Sequence, residues 1–171
     1  MLSSRFMEAR PAASEENYFA ETAAVNYLAE QEEPFRILQV QDPRSPNWYM
    51  YHSIETVLGY QGAKLKVYQE LLDGFRMPNE FLRKYLKIEE GQYVWRGPEE
   101  VPEEILAMHR NFMKMTNTRY VLSPYAIPDT TLKVVRQPER RGGIAVLRYS
   151  GALPRVFSPS RAAGVRGEQA M

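Results

Sequence analysis

The order of predicted elements in the second half of the chain constrains the fold most strongly. Apolar residues recur there at steps of 3, 4 and 3, which predicts an amphipathic helix that begins near Pro102 and packs into a core. The residues of this stripe are Ile105, Met108, Phe112 and Met115. Residues 119–122 follow as a strand, and residues 131–136 and 144–149 predict a hairpin. A helix that leads directly into a strand and a hairpin indicates helices layered on a sheet.

The first half of the chain interleaves helices and strands in the same way. Thr22 is a candidate N-cap for a short helix that reaches Leu28, and residues 35–40 predict a strand. Two further helices are predicted at residues 64–73 and 79–86. The whole pattern predicts a single α/β or α+β layered domain with a mixed β-sheet, about three to four helices and a late β-hairpin.

Composition sets the two ends of the chain apart from its middle. Residues 1–13 and the basic tail at 159–171 are poor in large apolar side chains and rich in Ala, Ser, Gly and charge. Such segments bury too little apolar surface to order themselves, so we expect both ends to be disordered. One globular domain is then expected over residues 14–158.

The composition also excludes several classes of function. Cysteine is absent, so the chain forms no disulfide, no thiolate nucleophile and no cysteine-ligated zinc site. A net charge of +1 gives no overall attraction to nucleic acid, and we expect no nucleic-acid partner. No apolar run approaches the roughly 20 residues that cross a bilayer, and residues 1–10 lack the apolar core of a signal peptide. A position outside the cytoplasm would therefore require a membrane segment ahead of this chain.

An aromatic cluster supplies the candidate binding residues, which are Trp48, Tyr49, Tyr51 and Tyr60. Residues 48–52 are interpreted as an extended segment, in which alternate side chains point to opposite faces. Aromatic rings build cores, and they also offer flat faces to ligands such as sugars. The sequence leaves two roles open for the cluster: core and strand edge, or a surface that faces a glycan or a lipid headgroup.

The titratable residues indicate catalysis only weakly. His52 lies three residues before Glu55, so the two could form an acid–base pair. His109 lies on the shoulder of the apolar helix stripe, which favours a packed histidine. Two histidines without cysteine make a poor ligand set, so we expect no metal and no cofactor. Residues 140–143, Arg-Arg-Gly-Gly, could bind an anion through arginine and backbone amides, or form a charged hairpin turn.

An ordered set of short pieces along the chain carries a resemblance to a known family. The pieces are Tyr18-Phe19, Thr22 with the helix to Leu28, Pro-Phe-Arg-Ile-Leu at residues 34–38, Tyr51, Gly59-Tyr60, the helix with Tyr68 and Leu71-Leu72, Asn-Thr-Arg-Tyr-Val-Leu at 117–122, Leu-Lys-Val-Val at 132–135, the hairpin, and Leu-Pro-Arg-Val-Phe at 153–157. Through these segments and their order, residues 18–158 resemble the C-terminal soluble region of the YfhO family. Its members are large polytopic bacterial membrane proteins related to the GT-C glycosyltransferases. A long loop predicted at residues 89–101 departs from the family pattern.

The resemblance implies a domain at the extracytoplasmic face of the bacterial cell membrane. GT-C enzymes take a sugar from a polyprenyl-phosphate carrier, with a catalytic acid on a loop near their first membrane helices. This chain has no such region, so no catalytic residue is carried over, and the chain alone is expected not to be an enzyme. The implied partners are the membrane-embedded part of the same protein and a glycan or polyprenyl-phosphate-sugar headgroup.

Two other interpretations stay open. A free-standing soluble module that binds a glycan or a protein predicts that the aromatic cluster is exposed as one patch. A small hydrolase-like enzyme predicts a pocket that brings His52 and Glu55 together with a third polar group.

Overall fold

The computed structural model describes residues 18–59, 66–75, 85–90, 92–125, 127–140 and 143–156. Within these ranges the helices are α1 (Ala23–Ala29), α2 (Pro46–Tyr51), α3 (Lys66–Gly74) and α4 (Glu103–Met115), with a 3₁₀ turn at Pro98–Glu100. The strands are β1 (Arg36–Gln39), β2 (Leu86–Glu89), β3 (Gln92–Trp95), β4 (Thr118–Ser123), β5 (Leu132–Arg136) and β6 (Ala145–Tyr149). The predicted mixture of helices with a mixed sheet is confirmed.

A four-stranded mixed sheet organises the chain. Its strand order is β1-β4-β6-β5, with β1 parallel to β4 and the other two pairs antiparallel. The parallel pair requires a crossover, and α4 closes it by running directly into β4. The pairing of β5 with β6 confirms the late hairpin. Strands β2 and β3 form a separate two-stranded sheet.

Both faces of the four-stranded sheet are buried. On β4, Val121 packs into one apolar cluster, whereas Tyr120 and Leu122 pack into the other, as the two-residue period of a strand requires. Helices α3 and α4 cover the first face, and α1 and α2 cover the second. Thr22 accepts a hydrogen bond from the N–H of Val25 at 3.4 Å, so the predicted N-cap of α1 is confirmed.

Two predicted elements are wrong, and the bounds of a third differ from the structure. Residues 48–52 are not extended, because Pro46 occupies the first turn of a helix and that helix directs two adjacent aromatic side chains into the core. The stretch 89–101 is not one long loop, since it holds β3 and the 3₁₀ turn. Leu86 belongs to β2 rather than to the helix predicted at 79–86, and the residues of that helix up to 84 lie outside the described ranges.

Helix α4 is rotated relative to its predicted apolar stripe. Phe112 is fully buried as predicted, but Ile105 and Met108 are only half-buried and Met115 is 48% exposed. The fully buried face carries Leu106, His109, Phe112 and Met113 instead. His109 is packed as predicted, with its Nδ1 3.1 Å from the hydroxyl of Tyr85. This polar contact lets an imidazole occupy a core position, which apolar periodicity alone does not reveal.

Candidate functional site

Two of the four candidate aromatic residues are core residues. Trp48 is 2% exposed, and its indole N–H donates to the carbonyl of Tyr18 at 2.7 Å. Tyr49 is fully buried, and its hydroxyl donates to the carboxylate of Asp42. Burial and the neighbouring charge of Asp42 both raise the pKa of Tyr49. Neither side chain is available to a ligand in this arrangement.

Tyr51 is the candidate residue that the structure places at the surface. It is 64% exposed, and its ring stacks on Phe19 with centroids 4.1 Å apart and planes 26° apart. Tyr18 packs edge-on against Phe19 at 4.8 Å and is 53% exposed. We call Tyr18, Phe19 and Tyr51 the aromatic patch. Tyr60 lies outside the described residues.

Sequence reasoning missed two members of the aromatic patch. Tyr18 and Phe19 lie about thirty residues from Tyr51 in the chain, and nothing in their local pattern links them to helix α2. The link is the hydrogen bond from the buried indole of Trp48 to the Tyr18 backbone, which fixes this segment beside α2. The resulting surface presents flat aromatic faces whose geometry suits stacking against an apolar or C–H-rich ligand face.

His52 and Glu55 do not form the acid–base pair considered from the sequence. The His52 ring packs 4.5 Å from the Trp48 ring, and its Nε2 is buried without a hydrogen-bond partner in the described part of the chain. The Glu55 carboxylate instead accepts from Arg36 at 3.3 Å and from Arg155 at 2.8 Å. Between the described atoms of His52 and Glu55 there is no hydrogen bond, and two guanidinium groups hold the carboxylate.

Glu55 belongs to a polar junction that joins distant parts of the chain. Arg36, at the start of β1, donates from Nη1 to the carbonyl of Thr116 at 3.3 Å, and its backbone N–H donates to the carbonyl of Asn117 at 3.0 Å. Arg155 reaches back across 100 residues to Glu55. We define the polar junction as Arg36, Glu55, Asn117, Leu153 and Arg155.

Asn117 is the central residue of the polar junction. It is 4% exposed and has a φ of 55°, a left-handed conformation at the residue that follows the C-cap Thr116 of α4. Asparagine tolerates this conformation better than most residues with a side chain. Its Nδ2 donates to the carbonyl of Leu153 at 2.7 Å. Asn117 therefore follows the end of α4, accepts a hydrogen bond from the start of β1 and donates one to the segment after β6.

A second ionic contact fixes α4 to the loop that leads into β5. Arg110 donates to both carboxylate oxygens of Asp129, at 3.0 and 3.4 Å, and Thr131 donates to Asp129 from its backbone and its hydroxyl. Burial alone would raise the pKa of Asp129, but these hydrogen bonds outweigh it and hold the pKa below its ordinary value. The Asp129 charge therefore serves the fold.

Comparison with family models, with curated proteins and with solved structures finds no match to this chain. In the described ranges, no group of three or more histidine, aspartate or glutamate side chains is arranged to hold a metal ion. No helix within the same ranges has the length and apolar character needed to cross a bilayer.

Proposed function

We propose that this chain is a non-catalytic extracytoplasmic domain of a YfhO-like polytopic membrane protein related to lipid-linked-sugar glycosyltransferases. The observation that carries the proposal is the polar junction. Arg36, Asn117 and Leu153–Arg155 come from three of the segments that resemble the family, and they meet in one place. Contact between segments so far apart in the chain supports a resemblance that extends to the fold.

The proposed role of the domain is to shape the access of an acceptor glycan to the membrane-embedded part of the same protein. The aromatic patch supports this role because Tyr51 and Tyr18 expose large parts of their rings. Such rings gain contact area at a low cost in conformational entropy. The partners are then a glycan or a polyprenyl-phosphate-sugar headgroup and the membrane part. No chemical step is assigned to the chain itself.

Variants of the full-length protein test this role. We expect Tyr51→Ala to raise the KM for the acceptor and to leave donor binding nearly unchanged, because only the acceptor is proposed to contact the patch. Tyr125→Ala is the matched control, since Tyr125 is 44% exposed and lies outside the patch. Equal effects of the two variants on the acceptor KM would contradict the role.

Incubation of the isolated chain with lipid-linked sugar and acceptor tests the absence of catalysis. We expect no product. Product formation that His52→Ala abolishes would favour the small hydrolase-like enzyme instead. Protease added outside intact cells tests the location, and cleavage of this domain is the expected result.

A second candidate function is a free-standing module that binds a glycan or a protein. The exposed stack of Tyr51 on Phe19 favours it, because this stack needs no membrane part to form a binding face. The module predicts that the isolated chain binds its ligand with full affinity and that Tyr51→Ala removes the binding. The membrane-protein proposal predicts weak binding by the isolated chain.

A further inference from the structure

A cleft of about 270 Å³ lies between the start of α1, the turn before α2 and the turn that joins β5 to β6. Two arginines from these separate turns line it, Arg44 from the first and Arg140 from the second, together with Glu139. We propose that this cleft binds a phosphate group. The site shares no residue with the aromatic patch or the polar junction, and the proposed function assigns no residue to a phosphate group.

Arg44 is held in place by its neighbours. Its guanidinium carbon lies 4.7 Å from the centroid of the Trp48 ring, and its Nη1 lies 3.7 Å from the buried Oδ1 of Asp42. Asp42 in turn accepts from the hydroxyl of Tyr49 and from the backbone N–H of Arg44. An arginine fixed in this way loses little conformational entropy when a ligand binds. Its planar set of donors matches the oxygens of a phosphate.

Arg140 approaches the cleft from a tight turn. The backbone N–H of Gly143 donates to the carbonyl of Arg140 at 2.8 Å. A Cβ at position 143 would lie 3.0 Å from that same carbonyl oxygen and 3.2 Å from the Pro138 side chain, so a larger residue there would crowd the turn. The turn therefore holds the backbone of Arg140, and the Arg140 side chain is exposed. Arg140 and Gly143 belong to the Arg-Arg-Gly-Gly segment in which the sequence left anion binding open, and residues 141–142 lie outside the described residues.

Charge and size narrow the class of ligand. Arg44, Arg140 and Glu139 are the charged residues that line the cleft, and Asp42 lies behind Arg44, so the four formal charges balance. The proposed phosphate is therefore held by the directed N–H donors of the two guanidinium groups rather than by an excess of positive charge. Pockets for drug-sized ligands occupy about 300–1,000 Å³. The cleft lies just below that range, which suits a phosphate with a small substituent rather than a nucleotide. Both a free phosphorylated molecule and a lipid headgroup offer this chemistry.

Titration of the full chain with inorganic phosphate and phenyl phosphate tests the site, together with flotation on phosphatidylcholine vesicles with and without phosphatidic acid. We expect Arg140→Gln to weaken binding about tenfold, which corresponds to 1.4 kcal/mol. Glu139→Gln is expected to strengthen binding because it removes the opposing carboxylate. Arg148→Gln is the matched control, since Arg148 is exposed on β6 and does not line the cleft.

The probes also distinguish the two sources of phosphate. Binding of phenyl phosphate that depends on Arg140 indicates a free phosphorylated molecule. Binding to phosphatidic acid vesicles alone, with the same dependence, indicates a lipid headgroup. The proposal is wrong if inorganic phosphate, phenyl phosphate and phosphatidic acid vesicles all fail to bind. It is also wrong if Arg140→Gln and Arg148→Gln weaken binding equally. Unchanged unfolding midpoints of the variants ensure that a loss of binding reflects the site.

Discussion

Replacement of Asn117 separates the two roles of this residue, its left-handed backbone and its hydrogen bond to Leu153. Asn117→Ala removes the hydrogen bond, whose net value is about 0.5–1.5 kcal/mol. It also places a Cβ-bearing residue without a local polar side chain at a φ of 55°, which costs about 1 kcal/mol more. The expected loss of unfolding free energy is therefore about 2 kcal/mol. Asn117→Gly removes only the hydrogen bond and relieves the backbone, so we expect a loss of about 1 kcal/mol.

Urea unfolding and thermal unfolding, both followed by tryptophan fluorescence, measure the unfolding free energy and the melting temperature of each variant against the wild type. In a chain of this size, 1 kcal/mol shifts the melting temperature by about 2–4 °C. The alanine variant is thus expected to melt about 4–8 °C lower, and the glycine variant about half as much. Equal losses in the two variants would refute the backbone part of the reasoning. Losses of unfolding free energy of only about a few tenths of a kcal/mol in both variants would refute the polar junction as a structural contact.

Two further predictions concern α4 and its contacts. Phe112→Ala should lower the unfolding free energy by about 3–5 kcal/mol in the same urea series, because the ring is fully buried. Met115→Ala should change the unfolding free energy little, because Met115 is 48% exposed. Similar losses in the two variants would contradict the observed rotation of the helix. Asp129→Asn should cost about 1.5–3 kcal/mol at neutral pH. Because the folded pKa of Asp129 is lowered, its stabilisation is complete above the unfolded pKa of about 3.9 and is lost as the pH falls through the folded pKa. Urea unfolding across this acidic range should show the difference in unfolding free energy between the wild type and Asp129→Asn closing as the pH falls. A difference that stays constant with pH would contradict the stabilising role of the Asp129 charge.

The sequence predicts those parts of the fold that local patterns determine. The Thr22 cap, the strand at 35–40 and the final hairpin depend on cap chemistry, alternation and turn residues within a few positions of each other. The buried face of α4 includes His109, whose Nδ1 meets the hydroxyl of Tyr85 from outside the helix. Such tertiary contacts override periodicity and leave no trace in the helix sequence.

The candidate site is harder to predict for the same reason. Trp48, Tyr49 and Tyr51 are all aromatic and close in sequence, but in the helix that begins at Pro46 the first two are buried and Tyr51 is exposed. The separation of three residues in the chain suggests a contact between His52 and Glu55. The partners of Glu55, Arg36 and Arg155, come from 19 and 100 residues away, beyond the reach of local reasoning.

The central claim is that this chain is a domain of a YfhO-like membrane protein. The size and the cell fraction of the protein that contains this chain in the source organism test that claim most directly. An antibody raised against residues 18–156 would be used to probe separated membrane and supernatant fractions. A domain of a YfhO-like membrane protein predicts a band in the membrane fraction, well above the 19.8 kDa of this chain. A single band at 19.8 kDa in the supernatant would contradict the claim and leave the free-standing binding module.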